Sequence, residues 1–544
     1  RRSTKLIHPE GNKPALSKMD GSSQEGEGKK KINEVKTFSV PFCLEEIKEN
    51  ISITTNTPSK PSKEQIINQA INFHLEGNIQ EASKHYQYCL KQGFKDCRVY
   101  SNYGNILKNY GNLQEAELLT RQAIELNPNF AEAHSNLGNI FRDLGKLEEA
   151  ESSTRKAITL NPDLANAHSN LGNILKDLGK SHEAELSIRL AIALNPNFAE
   201  AHSNLGNVLS DLGNLQEAEL STRKAIELNP DLAMAHSNLG GILSDIGKLQ
   251  EAELSLRKAI ELKPDFADAH YNLGNTLQEL GKLEEAGNSY CKAIELKPNL
   301  ARAYFSLSTL TYSDFDNKKW QYKLFSESIL NNKFKKDLIN IYFARSNILH
   351  KEKEYKESAK FLTLANNLKL LLQPSDTNTR IKQSQLLLFE SDKKVINTEE
   401  IIKHPQSIFI VGMPRSGSTL IESILSMNND VDALGEINIL EESFIEWKEK
   451  AQALTLSEIY WKKITGKKSE LNITTNKWLY NYQYAGIIAG QIPNAKIIHC
   501  FRHPLDNILS IYRAHFAKGN QYSSSLIDCA KVYLDQNEIM TEYK

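Results

Sequence analysis

Residues 131–164, AEAHSNLGNIFRDLGKLEEAESSTRKAITLNPDL, decide how most of the chain is read. They hold two amphipathic stretches, one running to a turn at Gly145 and one from about Glu148 to Leu160, where Asn161-Pro162 stops it. Gly138, Ala150 and Ala157 are small where two helices must approach closely, while Leu137, Ile140, Leu144 and Ile158 supply apolar faces. A helix pair this short cannot bury its own core and must stack on copies of itself. Those copies are present. Gly77, Gly111, Gly145, Gly179, Gly213, Gly247 and Gly281 are each 34 residues apart. Gly104, Gly138, Gly172, Gly206, Gly240 and Gly274 keep the same step, as do Pro128, Pro162, Pro196, Pro230, Pro264 and Pro298.

Period, helix pair and the Gly, Ala and Pro positions together resemble the tetratricopeptide repeat family. About seven units span residues 63–300, the first degenerate. Where that family usually has Trp or another large residue, this chain has His134, His168, His202, His236 and His270. A metal role for them fails on geometry, since packed helices lie roughly 10 Å apart and a metal needs ligands near about 2 Å. A structural role is expected. Asn102, Asn136, Asn170, Asn204, Asn238 and Asn272 also recur, with Asn105, Asn139, Asn173, Asn207 and Asn275 three residues later on the same helix face and Gly241 interrupting. Asn both donates and accepts, so a ladder of them can hold an extended peptide backbone. The repeats look similar to those of the large O-linked N-acetylglucosamine transferase, where such a ladder lines a groove. That resemblance implies a polypeptide partner bound by Asn136, Asn139, Asn170, Asn173, Asn204, Asn207 and Asn238. The alternative, that the asparagines only bond the neighbouring helix, stays open.

The 544-residue chain is long enough for two to four domains. Its net charge of -1 gives no whole-molecule field for nucleic acid or an anionic membrane, and neither partner is expected. Cys43, Cys89, Cys97, Cys291, Cys500 and Cys529 form no C-x-x-C pair, which suggests neither zinc nor a disulfide framework and fits a reducing compartment. No apolar run approaches the roughly 20 residues of a membrane helix, so the expected location is the cytoplasm. Residues 1–62, rich in Gly, Ser, Lys, Glu and Pro, are expected to be disordered. From 301 to 405 the period fades, although residues 342–369 still form a two-helix unit expected to cap the array.

After Pro405 the pattern changes to strand, helix, strand and helix: Ser407 to Val411, Thr419 to Ser426, Lys496 to Phe501 and Leu505 to Lys518. The expected fold is therefore an all-α superhelical tetratricopeptide solenoid followed, from 406 to 544, by an α/β P-loop-like parallel-sheet domain with its ligand edge at the strand C-termini. The loop Gly412-MPRSGS-Thr419 lies at such an edge, where backbone N–H groups and a helix N-terminus attract an anion. A nucleoside-triphosphate loop would have lysine at Ser418, and no strand ending in a magnesium-binding aspartate follows. Arg415 supplies the positive charge. A buried arginine beside open N–H groups needs an anion, which argues against a ligand-free turn.

The stretch 409–423, FIVGMPRSGSTLIES, resembles the 5′-phosphosulfate loop of sulfotransferases that use 3′-phosphoadenosine 5′-phosphosulfate (PAPS). The stretch 496–512, KIIHCFRHPLDNILSIY, resembles their 3′-phosphate signature. By this resemblance PAPS is the co-substrate, with Arg415, Ser416, Gly417, Ser418 and Thr419 at the 5′ side and Arg502 and Ser510 at the 3′-phosphate; no metal is implied. Arginine in the loop is similar to tyrosylprotein sulfotransferases and to bacterial sulfotransferases fused to tetratricopeptide repeats. In the tyrosylprotein enzymes a glutamate 21 residues after the loop arginine is the general base, which is Glu436 here. A lysine in an Asn-Lys-Asp-Pro stretch corresponds to Lys477, where Trp478-Leu479 replaces Asp-Pro. Acceptor-side arginines are replaced by Asn438 and Glu442, which puts an acidic tyrosine peptide in doubt.

The resemblance implies in-line sulfuryl transfer to an acceptor hydroxyl, such as a protein tyrosine, with Glu436 taking the proton and Arg415 and Lys477 offsetting charge. Two alternatives are an ordinary P-loop kinase and a non-catalytic interaction scaffold with an incomplete nucleotide-binding domain. The second has weight because sulfotransferase domains usually continue well beyond the 3′-phosphate motif, and the domain is expected to be C-terminally truncated: only 34 residues follow Ser510.

Overall fold

The computed structural model describes residues 61–310, 319–331, 334–391, 406–449, 454–465, 473–516 and 519–543. The expected disorder of residues 1–62 falls almost wholly outside them. The chain divides into two compact units at Leu212 and Gly213.

The first unit consists of paired helices, for example Ala131–Asp143 with Leu147–Leu160 and Ala165–Asp177 with Ser181–Leu194. Each first helix ends where a glycine enters the left-handed region. Gly145 has φ +76°, and the next N–H, of Lys146, reaches back to the Phe141 carbonyl at 2.8 Å. Gly138 serves the crossing of the two helices instead. A Cβ there would collide with the Thr154 side chain and come within 3.1 Å of the Ala150 carbonyl, so glycine lets the paired helices touch backbone to backbone.

The histidine series is structural. His134 and His168 place Nε2 at 3.0 and 2.8 Å from the carbonyls of Pro128 and Pro162, six residues earlier. The same bond recurs at His202, and in the second unit at His236 and His270. In the helix Ala301–Thr309, which follows the seventh unit, Tyr304 takes the place, its hydroxyl donating to the Pro298 carbonyl at 3.0 Å. Proline stops one helix, and its free carbonyl is then tied to the next.

In the second unit the helix pairs continue to Ala301–Thr309. The helix Lys335–Lys351 covers the last apolar face, placing Ile341, Ala344 and Ile348 in one core with Tyr304 and Leu307. The sheet has order β2-β3-β1-β4, from β1 (Gln406–Gly412), β2 (Val431–Ala433), β3 (Ile473–Asn476) and β4 (Lys496–Cys500). Every pairing is parallel. Phe409 and Val411 of β1 share a core with Trp447, Tyr460, Tyr482 and Ile539, and also with Leu387 of the helix Thr377–Ser391, which precedes the sheet in sequence. Buried Asp535 joins these pieces by accepting from Ser384 Oγ at 2.8 Å and from the Tyr482 hydroxyl at 3.1 Å.

The helix expected over 505–518 is shorter, Pro504–Tyr512. The chain after it is taken up by the helix Tyr355–Leu372 and by Lys335–Lys351. Asn366, wholly buried, donates to the Tyr512 carbonyl at 3.0 Å, and Lys369 Nζ donates to the Phe516 carbonyl at 3.2 Å. His515 stacks on Phe343 with ring centres 4.7 Å apart and pairs with Asn340 at 3.1 Å. No described helix is long and apolar enough to cross a membrane.

Burial, with a smaller push from Lys369, lowers the His515 pKa from 6.5 to about 4. The unfolded chain therefore binds this proton more readily, and the stability due to neutral His515 is complete above pH 6.5 and lost as pH falls towards 4. The expected loss is on the order of 3 kcal/mol over that window. Denaturant melts should show it as a difference: His515→Gln, which keeps an amide facing Asn340, should lose less stability than the wild type over that window, the remaining fall including that of buried His74, whose pKa is likewise lowered to about 4.

Candidate functional site

The loop between β1 and the helix Ser418–Leu425 has an unusual backbone. Gly412 has φ +156°, and a Cβ on it would strike the Cys500 carbonyl of β4. Arg415 adopts φ +68° and Gly417 φ +100°. The helix starts at Gly417 with no side-chain cap, so its first N–H groups face outward. Asn507, fully buried, holds the loop from below by donating to the Pro414 carbonyl at 3.0 Å. Ser416 Oγ is buried and has no protein partner. It lines a small cleft with Met413, Arg502 and Tyr533, whose rim is braced by the Tyr533 hydroxyl donating to the Arg502 carbonyl at 2.9 Å.

The two phosphate signatures meet here. Arg415 Nε donates to Ser510 Oγ at 3.3 Å, and an Arg502 guanidinium nitrogen lies 3.5 Å from the Arg415 carbonyl. Arg415, in the left-handed region, is exposed and not buried as expected. Desolvation therefore gives it no need of an anion. What favours an anion is the presence of two guanidinium groups, one bonded to Ser510 and the other at the Arg415 carbonyl, next to a helix start without a side-chain cap.

Past the loop, Lys477 sits at the end of β3, its side chain 8% exposed. Its ammonium donates to Thr419 Oγ1 at 3.0 Å and lies 3.3 Å from Glu436 Oε1 and 3.5 Å from Glu422 Oε2. Glu436 follows Gly435, which bends at φ +71°, and the Gly435 carbonyl accepts the Lys477 N–H at 3.0 Å. Lys477 and Glu436 are thus placed together by the backbone as well as by charge. Ser418 is buried at the helix start. Glu422, Thr475 and Asn507 were missed in the sequence. Glu422 lies seven residues after Arg415, on the helix face turned to the sheet, and its helical phase was the one available signal. Among the described residues no group of three or more His, Cys, Asp or Glu is arranged to hold a metal ion.

On the repeats, the first asparagine series is engaged. Asn136, Asn170 and Asn204 each donate Nδ2 to a serine of the preceding repeat, Ser101, Ser135 and Ser169, at 3.0, 3.0 and 3.1 Å. Asn238 also has a partner. Asn139, Asn173 and Asn207 lie half-buried one turn further along the same helices.

Residues 405–543 match the sulfotransferase family. Tetratricopeptide repeat models match segments between 98 and 300. The chain thus carries tetratricopeptide repeats and then a domain that matches the sulfotransferase family. An uncharacterized protein of Aquifex aeolicus (strain VF5) is 27% identical over 204 residues, an alignment covering 32% of this chain. The chain spans 26% of that relative. Among solved structures, YrrB, described as a TPR protein with an unusual peptide-binding site, is 29% identical and covers 34% of this chain and 95% of its own, with a TM-score of 0.26. A tetratricopeptide repeat protein from Parabacteroides merdae is 19% identical and covers 45% of this chain and 97% of its own, with a TM-score of 0.37.

The loop's dependence on Asn507 is measurable. Asn507→Leu keeps the number and branching of side-chain heavy atoms but leaves the Pro414 carbonyl without its donor, and should lower unfolding stability by at least about 1–3 kcal/mol in urea melts.

Proposed function

We propose that this protein transfers a sulfuryl group from PAPS to a hydroxyl of a polypeptide presented by its repeats. The observation that carries the reading is the meeting of Arg415, Arg502 and Ser510 beside the uncapped helix start, which brings the two signature motifs to one end of the sheet. Arg415, the loop amides and Ser416 to Thr419 would hold the 5′-phosphosulfate, with Arg502 and Ser510 at the 3′-phosphate. The unpartnered Ser416 hydroxyl and the glycine-only approach of β1 to β4 fit such a group.

In the proposed step the acceptor oxygen attacks sulfur in line and the bond from sulfur to the bridging oxygen breaks. Glu436, whose side chain is 58% exposed, takes the acceptor proton. Lys477 and Arg415 offset the charge left on the bridging oxygen as 3′,5′-adenosine diphosphate departs. We place the acceptor among polypeptide hydroxyls, tyrosine included. Exposed Glu436 and Glu442 make the approach negative, which disfavours the acidic tyrosine peptides. Cys89, Cys97, Cys291, Cys500 and Cys529 are free thiols, which suits a cytoplasmic setting.

Calorimetry should show 3′,5′-adenosine diphosphate binding at least tenfold more tightly than ATP; equal affinities would sink the reading. Glu436→Gln should keep nucleotide affinity and lose turnover by about 10²–10⁴-fold, the usual worth of a general base.

For the partner, the engaged and free asparagines separate two roles. Replacing Asn139, Asn173 and Asn207 with Ala should weaken polypeptide capture without lowering the melting temperature. Replacing Asn136, Asn170 and Asn204 should lower the melting temperature, because each removes a bond between repeats. Undiminished capture by the first triple variant would exclude the groove ladder.

A further inference from the structure

Lys477 is flanked by two carboxylates that differ in exposure and in anchorage. Glu422 is buried, with its side chain 9% exposed, whereas that of Glu436 is 58% exposed. Glu422 is also fixed on its other side: Oε1 accepts the Thr475 hydroxyl at 2.9 Å and the Gly435 N–H at 3.2 Å, leaving Oε2 to face Lys477 at 3.5 Å. Two of these partners come from β3 and its end, one from the turn that carries Glu436, and the carboxylate itself from the helix behind the phosphate loop. Glu436 has no such anchorage in the structure beyond its contact with Lys477 at 3.3 Å.

A buried ammonium needs a standing counter-charge, because an uncompensated ion in a low-dielectric site is costly. We infer that Glu422 is that counter-charge, and that it acts as a positioning residue for the reaction. It keeps the Lys477 ammonium against Thr419 and leaves Glu436 free to exchange its ion pair for the acceptor proton. Were Glu436 the sole anionic partner, taking up a proton would strip Lys477 of its compensation at the moment the lysine is needed. With Glu422 in place, the three ammonium hydrogens have Thr419, Glu422 and a third position that Glu436 can vacate for the bridging oxygen. The Gly435 N–H bond extends this control, since it sets the peptide that precedes Glu436.

The inference rests on the sulfuryl-transfer reading for its kinetic part, and the test separates the two. Glu422→Gln retains the oxygen that accepts from Thr475 and Gly435 but removes the charge facing Lys477. In the full chain it should bind 3′,5′-adenosine diphosphate within about threefold of wild type and leave the KM for PAPS similarly unchanged, while kcat drops at least tenfold. A merely structural glutamate would leave kcat intact in this folded, nucleotide-binding variant, and that result would overturn the assignment. If the wild type fails to bind 3′,5′-adenosine diphosphate, the sulfuryl-transfer reading falls, and the counter-charge is judged by melting alone. Lys477→Met should melt lower than the double variant Glu422→Gln/Lys477→Met, because the single change strands a buried carboxylate. If the relief comes from Glu436→Gln instead, or from neither, Glu422 is not the counter-charge.

Discussion

A pair of helices of 13 or 14 residues has more apolar face than it can cover alone, and this shortage of cover organises the repeats. Each pair needs the next, so the sequence must return the same small residues at the same places. Gly138 makes the crossing close enough for Thr154 and Ala150 to sit against it. The histidine-to-proline bond then joins the end of one pair to the start of the following one. The array has to end somewhere without leaving a bare face, and Ile341, Ala344 and Ile348 of Lys335–Lys351 provide that end.

Much of this was legible because it is periodic. A 34-residue recurrence of Gly, Ala and Pro leaves few alternatives to paired helices, and the strand, loop and helix around Gly412 were equally plain, being an apolar run followed by glycine punctuation. What stayed hidden was polar. β3, Ile473–Asn476, was not among the expected strands because Thr474, Thr475 and Asn476 carry no hydrophobic pattern, yet all three are fully buried between β1 and β2. Asn476 Oδ1 accepts from the nearby Trp478 N–H and Asn481 amide, while Thr474 and Thr475 are met by partners remote in sequence, Ser407 and Glu422. No local pattern reveals such partners.

The candidate site divides along the same line. Arg415, Arg502 and Ser510 were found through two motifs, and the fold brings them into contact. The exposure of Arg415, a left-handed residue in a loop, was not visible in its motif. Nor was it evident that Asn136, Asn170 and Asn204 spend their amide donors on serines of the preceding repeat, since a 35-residue separation gives both partners the same periodic signature.

The grip of Asn366 and Lys369 on the chain after Tyr512 bears on what counts as a module here. The stretch 405–543 recognised as sulfotransferase-like takes its helix Pro504–Tyr512, which bears Ser510, from within, but the group that caps that helix comes from residue 366. Its core likewise borrows Leu387 from a helix outside the stretch. The family boundary therefore marks an inheritance and not a seam. Evolution could exchange the loop chemistry within it, but could not lift the stretch out whole without also supplying a new cap for the helix and a new wall for the core.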